Sequence, residues 1–321
     1  MKQGSHPPHV QLAILSREYV VSRSIHAIAH LGIADFMSNE PKSIEILAQE
    51  TDTVPEMLDR VLNFLTLYGL FEKSETGYAL TELSKPLRQD APNSIKDILG
   101  MVDEAWWQSF AQLETCIKTG KPGFNLEHGT DLFSYLTQNT TKKAKFDKGL
   151  AKLSVFDDQA IISSAFDFGR YDSLCNVWKG NDHLADGIRQ LFPHIKTTNY
   201  SFDSSAALQN APDLFANLPD STAYLIKGIL HDFNDDQIKF ILSRAHQQMS
   251  KNSRLVIAEQ VIPNDNLPHT NKTMDIIMMV LVGGKQRPLL AWQELVESQG
   301  FTLKQSSPTP GLYSIMEFLR V

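Results

Sequence analysis

The chain has 321 residues, 42% of them hydrophobic and 21% charged, the composition of a soluble globular protein with room for two domains and a substantial core. Its formal net charge of −7 disfavours sequence-independent binding to nucleic-acid phosphates. The two cysteines, Cys116 and Cys175, lie in apolar surroundings without CxxC or metal-ligand spacing. They read as buried free thiols of a reducing compartment, not as a disulfide or a metal site. Met1 to His9 carries no apolar signal core, and the most apolar segment, Ile276 to Val282, is far too short to span a bilayer. A cytoplasmic protein without a membrane partner is expected.

Val10 to Met37 reads as helical, with Leu12, Leu15, Tyr19, Ile25, Ile28, Ala29 and Leu31 at helix-like spacing and Gly32 breaking the pattern. Ser43 to Glu50 is a short helix with Ser43 as its N-cap. Pro55 to Tyr68 is the next, with Thr53 placed to cap it and Met57, Leu58, Val61, Leu62, Leu65 and Leu67 as its apolar face. Leu70 to Lys73 and Gly77 to Thr81 alternate across the turn Ser74-Glu75-Thr76, a small β-hairpin. Two short helices and a hairpin make a winged helix. A groove reader presents Arg, Lys, Asn or Gln on its recognition helix. Here that helix carries Glu56, Asp59 and Arg60, so the module reads as structural or dimerising rather than DNA-binding. Ser84 to Lys118 continues helical, with Trp106, Trp107, Phe110 and Leu113 as a core stripe from which one tryptophan could wall a ligand pocket. Gly120 to Asn139 reads as a loop-rich connection. Lys142 to Phe166 is a long helix or a broken pair.

After Asp167 to Tyr171 the pattern alternates between strands and helices. Ser173 to Val177 is a strand, His183 to Phe192 a helix, and Ile195 to Phe202 a weak strand. Tyr224 to Leu230 is a strand buried on both faces, and it stops abruptly at His231 and Asp232. Asp235 to Met249 is a helix, Arg254 to Glu259 a second buried strand, Lys272 to Val282 an apolar helix and Ala291 to Gln299 another. Phe301 to Gln305 and Tyr313 to Leu319 are terminal strands. Repeated βαβ units predict an α/β, doubly wound sheet. In such sheets chemistry sits outside the carboxyl ends of the strands. An imidazole there can take a proton near neutral pH. Glu259, ending the neighbouring strand, could fix its tautomer as the carboxylate of a catalytic triad does. The plain alternative is two strand-end polar residues facing solvent.

These residues resemble the small-molecule O-methyltransferases typified by plant caffeic acid and bacterial hydroxyindole or polyketide enzymes. Leu31-Gly32-Ile33-Ala34-Asp35-Phe36 and the winged helix are similar to that family's dimerisation domain. Thr119-Gly120-Lys121-Pro122-Gly123-Phe124 is similar to its Thr-Gly-x-Pro-Ala-Phe loop. Leu225 to Phe233 resembles its catalytic signature, and Met274-Asp275, Gly283 to Arg287 and Trp292 through Phe301 follow its C-terminal pattern. The resemblance implies a winged-helix dimerisation domain over 1–100, a helical linker and acceptor-pocket region over 101–166, and a Rossmann-like methyltransferase domain over 167–321. It also implies a homodimer and a small-molecule substrate. In that likeness His231 deprotonates an acceptor hydroxyl that attacks the methyl of S-adenosylmethionine, with Glu259 and Asp232 in support. Lys227 meets the cofactor's carboxylate, and Gly180 and Asp213 are the other cofactor positions. Trp107, Met274, Asp275, Met278 and Gln286 belong to the acceptor side. Packing in an apolar helix serves any one of the methionines equally well.

The chain also departs from the family. The glycine-rich turn after the first strand is here Asn176-Val177-Trp178-Lys179-Gly180-Asn181-Asp182, and only Gly180 survives. Those glycines let backbone approach a ligand. Trp178 and Lys179 put bulk and charge where the cofactor's amino-acid end lies in the family. The position expected to be acidic at the end of the second strand is Ser201, with Asp203 two residues on, and Ser204 to Asn217 replaces a longer segment. Gln286 stands where the family has a carboxylate. Three functions therefore remain open: methyl transfer, non-methylating acid–base chemistry by His231, and non-catalytic binding.

Overall fold

The computed structural model describes residues 6–178, 183–201, 215 and 217–321. The chain divides into two compact units, Met1–Asp103 with Ala144–Lys152, and Glu104–Lys143 with Leu153–Val321.

In the first unit the expected helix over Val10 to Met37 is broken. α1 (Pro8–Leu15) stops at a turn, and α2 (Tyr19–Leu31) ends where Gly32 adopts φ 67°, followed by a single 3₁₀ turn. α3 (Ile44–Glu50) is capped as expected, Ser43 Oγ accepting from the Ile46 N–H. Thr53 does not cap α4 (Pro55–Thr66). Val54 is the N-cap, and the Thr53 hydroxyl lies 3.0 Å from that of Thr51. Pro55 still opens the helix, where a missing N–H costs nothing. α4 buries Leu58, Leu62 and Leu65, whereas Met57 and Leu67, assigned to the same face from spacing, are exposed. β1 (Phe71–Ser74) and β2 (Gly77–Leu80) form the antiparallel wing, and α5 (Lys96–Gly100) follows.

In the second unit α6 (Glu104–Phe110) and α7 (Leu113–Thr119) continue the stretch expected to be helical, Ser84 to Lys118, which is divided into short helices. The segment read as loop-rich holds α8 (Gly123–His128) and α9 (Leu132–Gln138). Its turn-forming residues are helix boundaries. Pro122 precedes α8, Gly129 ends it at φ 68°, and the Asp131 carboxylate caps α9 by accepting from the Ser134 N–H. α10 (Thr140–Ile162) runs through both units.

The sheet is built from β3 (Ser173–Trp178), β4 (Lys196–Ser201) after α11 (His183–Leu191), β5 (Ala223–Lys227), β6 (Arg254–Glu259) after α12 (Asp235–Gln248), and the terminal β9 and β10. Between them lie β7 (Val261–Ile262), α13 (Thr270–Leu281), β8 (Arg287–Pro288) and α14 (Leu289–Glu297), with β9 at Phe301–Pro308 and β10 at Ser314–Arg320. The strand order is β4-β3-β5-β6-β10-β9; the first four are parallel, and β10 pairs antiparallel with both β6 and β9. This is the doubly wound α/β sheet expected. Cys175, Val177, Tyr224 and Ile226 pack one face into a core with Ile241 and Leu242 of α12 and Trp292 of α14. Leu174, Leu225 and Val256 pack the other against Ile161, Leu184 and Ile188. Burial on both faces is why these strands read as unbroken apolar runs, and each fully buried aliphatic contributes about 1.5–3 kcal/mol. Both cysteines are free and buried, and burial pushes the Cys175 thiol up to about 12. Among the described residues no helix is long and apolar enough to cross a membrane.

β4 and β5 flank β3 on opposite sides. The chain reverses direction across the sheet there, leaving a crevice beyond the carboxyl ends of β3 and β5.

Candidate active site

β5 ends at Lys227, three residues earlier than the apolar run suggests. Gly228 takes φ 59°, and its N–H reaches the Ala258 carbonyl at 3.0 Å, so the backbone leaves the strand plane. A side chain here is excluded on two counts: the conformation, and the Tyr313 hydroxyl 2.7 Å from where Cβ would sit. The 3₁₀ turn Leu230–Asp232 then carries His231 beyond the sheet edge.

Glu259 meets it there. Its side chain is fully buried, at 0% exposure. One carboxylate oxygen, Oε1, accepts from the backbone N–H groups of Ile229, Leu230 and His231 at 3.1, 2.8 and 3.3 Å. The other, Oε2, lies 2.7 Å from His231 Nδ1. A single carboxylate thus pins the turn and orients the ring, which rules out the solvent-facing alternative for Glu259. With Nδ1 held as a donor, Nε2 is the nitrogen left to take a proton. Asp232 Oδ1 lies 3.4 Å from Nε2. Burial works to lower the proton affinity of His231, but the charges of Glu259 and Asp232 outweigh it, against opposition from Arg287, and the pKa rises to about 9.

The strip after α13 buttresses this turn. The Lys285 N–H donates to the His231 carbonyl at 2.8 Å, and a Cβ on Gly284 would overlap that same carbonyl oxygen. The Gln286 N–H donates to Asp275 Oδ1 at 2.8 Å. Arg287 grips Asp235 Oδ1 at 2.6 Å and the Phe233 carbonyl at 3.0 Å, and that hydrogen bond holds the Asp235 carboxyl below its ordinary range. Asp275, Met279, Gly284, Lys285 and Arg287, with the start of α12, line an open pocket of about 560 Å³. Gln286 is 1% exposed, and both ends of its carboxamide are buried without a partner among the described residues.

Lys227 is not free at the strand end. Its Nζ lies 2.6 Å from Asp158 Oδ1 and 2.9 Å from Ser154 Oγ, both on α10, and it stands over the Tyr313 ring, 5.7 Å from the centroid. Next to this pair, Asp157 is buried too, and burial pushes its carboxyl up to about 6 despite the nearby Lys227 charge.

The structure therefore brings together His231, Glu259 and Asp232, and it joins Asp275 to Gln286. Met274, Asp275 and Met278 are half-buried on α13, which packs against α6 and α8. Trp107 is half-buried on α6. Trp106 and Phe110 on α6 and Leu113 at the start of α7 are half-buried as well; the positions that are buried there are Ala105, Ser109 and Cys116, so the stripe expected as core is not the buried one. Gly180 and Asp213 lie outside the described residues, as do Lys179 and Asp203. Asp157 and Asp158 are not among the residues the motifs single out. A signal was present: Asp157 sits four residues before Ile161, which is fully buried, so helical spacing puts a carboxylate on the core face of α10.

Residues 110–302 match a family model described as the O-methyltransferase domain, and residues 14–90 match the O-methyltransferase dimerisation domain. A phenazine O-methyltransferase from Lysobacter antibioticus is 28% identical, over 93% of this chain and 92% of the relative. The crystal structure of LaPhzM superposes with a TM-score of 0.85 at 25% identity, covering 98% of this chain and 100% of that one. Human N-acetylserotonin methyltransferase, solved with S-adenosylmethionine, shares the fold at a TM-score of 0.85 and 19% identity, over 100% of this chain and 99% of its own.

Proposed function

The chain belongs to the O-methyltransferase family, and from that membership we propose that it moves a methyl group from S-adenosylmethionine to a hydroxyl of a small aromatic or polyketide-like metabolite, with His231 as the general base. The observation that carries this is the His231–Glu259 pair at the carboxyl edge of the sheet, 2.7 Å apart. Phenazine, mitomycin and puromycin O-methyltransferases among the relatives support an acceptor of that class. The dimerisation-domain match supports a homodimer.

The described side of the crevice fits the cofactor. A buried ammonium–carboxylate pair, Lys227 with Asp158, can exchange partner for partner with a ligand end that carries both an ammonium and a carboxylate. Lys227 would hold the cofactor's carboxylate, and Gly180 and Asp213 would complete the site. The cofactor supplies an electrophilic methyl group on a positively charged sulfur. The protein's own residues do the rest. Glu259 holds Nδ1 as a donor so that Nε2 faces the acceptor hydroxyl and accepts its proton, general-base work worth about 10²- to 10⁴-fold in rate. Trp107, Met274 and Met278 give the acceptor an apolar bed. Asp275 orders the strip that carries Gln286, and Gln286 orients the acceptor as a neutral amide where the family has a carboxylate.

A second function, acid–base chemistry by His231 without methyl transfer, draws support from two observations: Lys227 is already paired with Asp158, and Trp178-Lys179 stands in the sequence where the family has glycine. Calorimetric titration separates the two. A dissociation constant in the micromolar range for S-adenosylmethionine or S-adenosylhomocysteine is expected. No heat and no thermal stabilisation at millimolar ligand would remove methyl transfer and leave the second function.

A further inference from the structure

Gln286 is 1% exposed, and neither end of its carboxamide has a partner among the described residues: Nε2 has no acceptor and Oε1 no donor. Asn176 and Asn271 also bury an orphan amide oxygen, but each uses its amide nitrogen, on Asn199 and on the Val261 carbonyl. Among the described residues Gln286 is the one buried carboxamide with both ends empty.

Backbone contacts on either side fix its place beside the base. The residue before it, Lys285, donates its N–H to the His231 carbonyl at 2.8 Å. The residue after it, Arg287, pairs in parallel with Val261, two residues beyond the Glu259 that holds the ring. The N–H of Gln286 itself is taken by Asp275 Oδ1 at 2.8 Å. Arg287 sends its guanidinium to Asp235 and the Phe233 carbonyl. Lys285 and Arg287 line the open pocket at the start of α12, and Gln286 does not. Side chains alternate along an extended chain, so the carboxamide faces the opposite side of the strip.

Buried polar groups are costly unless something satisfies them. A carboxamide presents a donor and an acceptor side by side. Its complement is an edge of the same kind, a C=O next to an N–H, which closes a ring of two N–H···O bonds. A carboxylate or an ester answers only Nε2, and an ammonium answers only Oε1. We propose that Gln286 selects an acceptor that carries a carboxamide or lactam edge near the hydroxyl to be methylated. This rests on the reading of His231 as the base, which puts the acceptor beside this strip. The paired amides, not a charge, then set the position of the hydroxyl before His231 Nε2.

The test is calorimetry on the full-length protein saturated with S-adenosylhomocysteine. The probes are 2- and 3-hydroxybenzamide, the matching hydroxybenzoates and their methyl esters. The variant is Gln286→Met, which has nearly the same shape and neither donor nor acceptor to offer. In the wild type an amide should bind about 10- to 100-fold tighter than its acid and its ester, the difference that two neutral hydrogen bonds supply. Gln286→Met should erase that preference and leave the affinity for S-adenosylhomocysteine unchanged. Without ligand it should melt no lower than the wild type, because it removes buried polar atoms that have no partner. Equal binding of amide, acid and ester overturns the subsite. So does no binding of any probe at millimolar concentration, or an amide preference that survives in Gln286→Met. A lower melting temperature in the variant overturns it as well, because the carboxamide would then be holding the fold. An amide preference that depends on Gln286, with no methyl passed from S-adenosylmethionine to the bound hydroxybenzamide, is a different result: it supports the subsite and overturns His231-based methyl transfer.

Discussion

Changing His231 to Gln is expected to lower kcat/KM for methyl transfer by about 10²- to 10⁴-fold, the range of a lost general base, with the dissociation constant of S-adenosylmethionine unchanged. The wild type carries a pH signature that ties this loss to the ring. The folded pKa is raised to about 9, burial being overcome by Glu259 and Asp232. At pH 7 about one ring in a hundred is then neutral in the free protein. Because Nε2 must be neutral to accept a proton, kcat/KM should climb with pH, stand at half its limit near 9 and level off above that. A cationic ligand bound beside the ring moves the corresponding limb of kcat to lower pH, since like charges disfavour protonation. His231→Gln should abolish the limb altogether. A variant that retains both the rate and the limb would show that the proton goes elsewhere.

The second large effect falls on Glu259. Glu259→Ala removes the acceptor for three backbone N–H groups and leaves a buried imidazolium without its carboxylate. Breaking such a pair from one side costs about 3–5 kcal/mol, a large fraction of the stability of a typical protein. Chemical denaturation should show it directly. Glu259→Gln is the informative partner, since it retains an oxygen for the turn and loses the charge. The His231 pKa should then fall toward its ordinary value of about 6.5, and the acid limb of kcat/KM should move with it. Stability gives an independent reading. A pKa raised from about 6.5 unfolded to about 9 folded means that the bound proton stabilises the native state. That contribution is complete below about pH 6.5, reaches about 3 kcal/mol at most, and is lost as pH rises through about 9. Glu259→Gln should lack most of that loss between pH 6 and pH 10. An unchanged limb and an unchanged stability profile would mean that Glu259 does not set the ring's proton affinity.

The parts of the molecule governed by local pattern were legible in the sequence. Leu225 and Val256 belong to strands buried on both faces, and such strands announce themselves as mostly apolar runs that stop at polar residues near the sheet edge. That is how His231 and Glu259 could be paired from sequence alone. β5 is shorter than its apolar run because Ile229 and Leu230 are apolar and buried for a different reason: they sit in the turn that Glu259 holds. The only local sign of the strand's end is Gly228. The helices α8 and α9 read as loop in the sequence because each is too short to show a period, while Pro122, Gly129 and Asp131, their boundaries, are also turn formers. Asp157 and Asp158 were beyond sequence reasoning as a site. Their spacing places them on the inner face of α10, but what lies against that face, the end of β5 with Lys227, is fixed only by tertiary packing.

The most direct test of methyl transfer by this chain is to incubate it with S-adenosylmethionine labelled in the methyl group and a panel of small phenolic acceptors, phenazine and naphthoate types included, at pH 9. Label should appear in the product as a methyl ether with the wild type and not with His231→Gln. Full cofactor occupancy by calorimetry with no label transferred to any acceptor hydroxyl, or equal transfer by the two proteins, would contradict His231-based O-methylation.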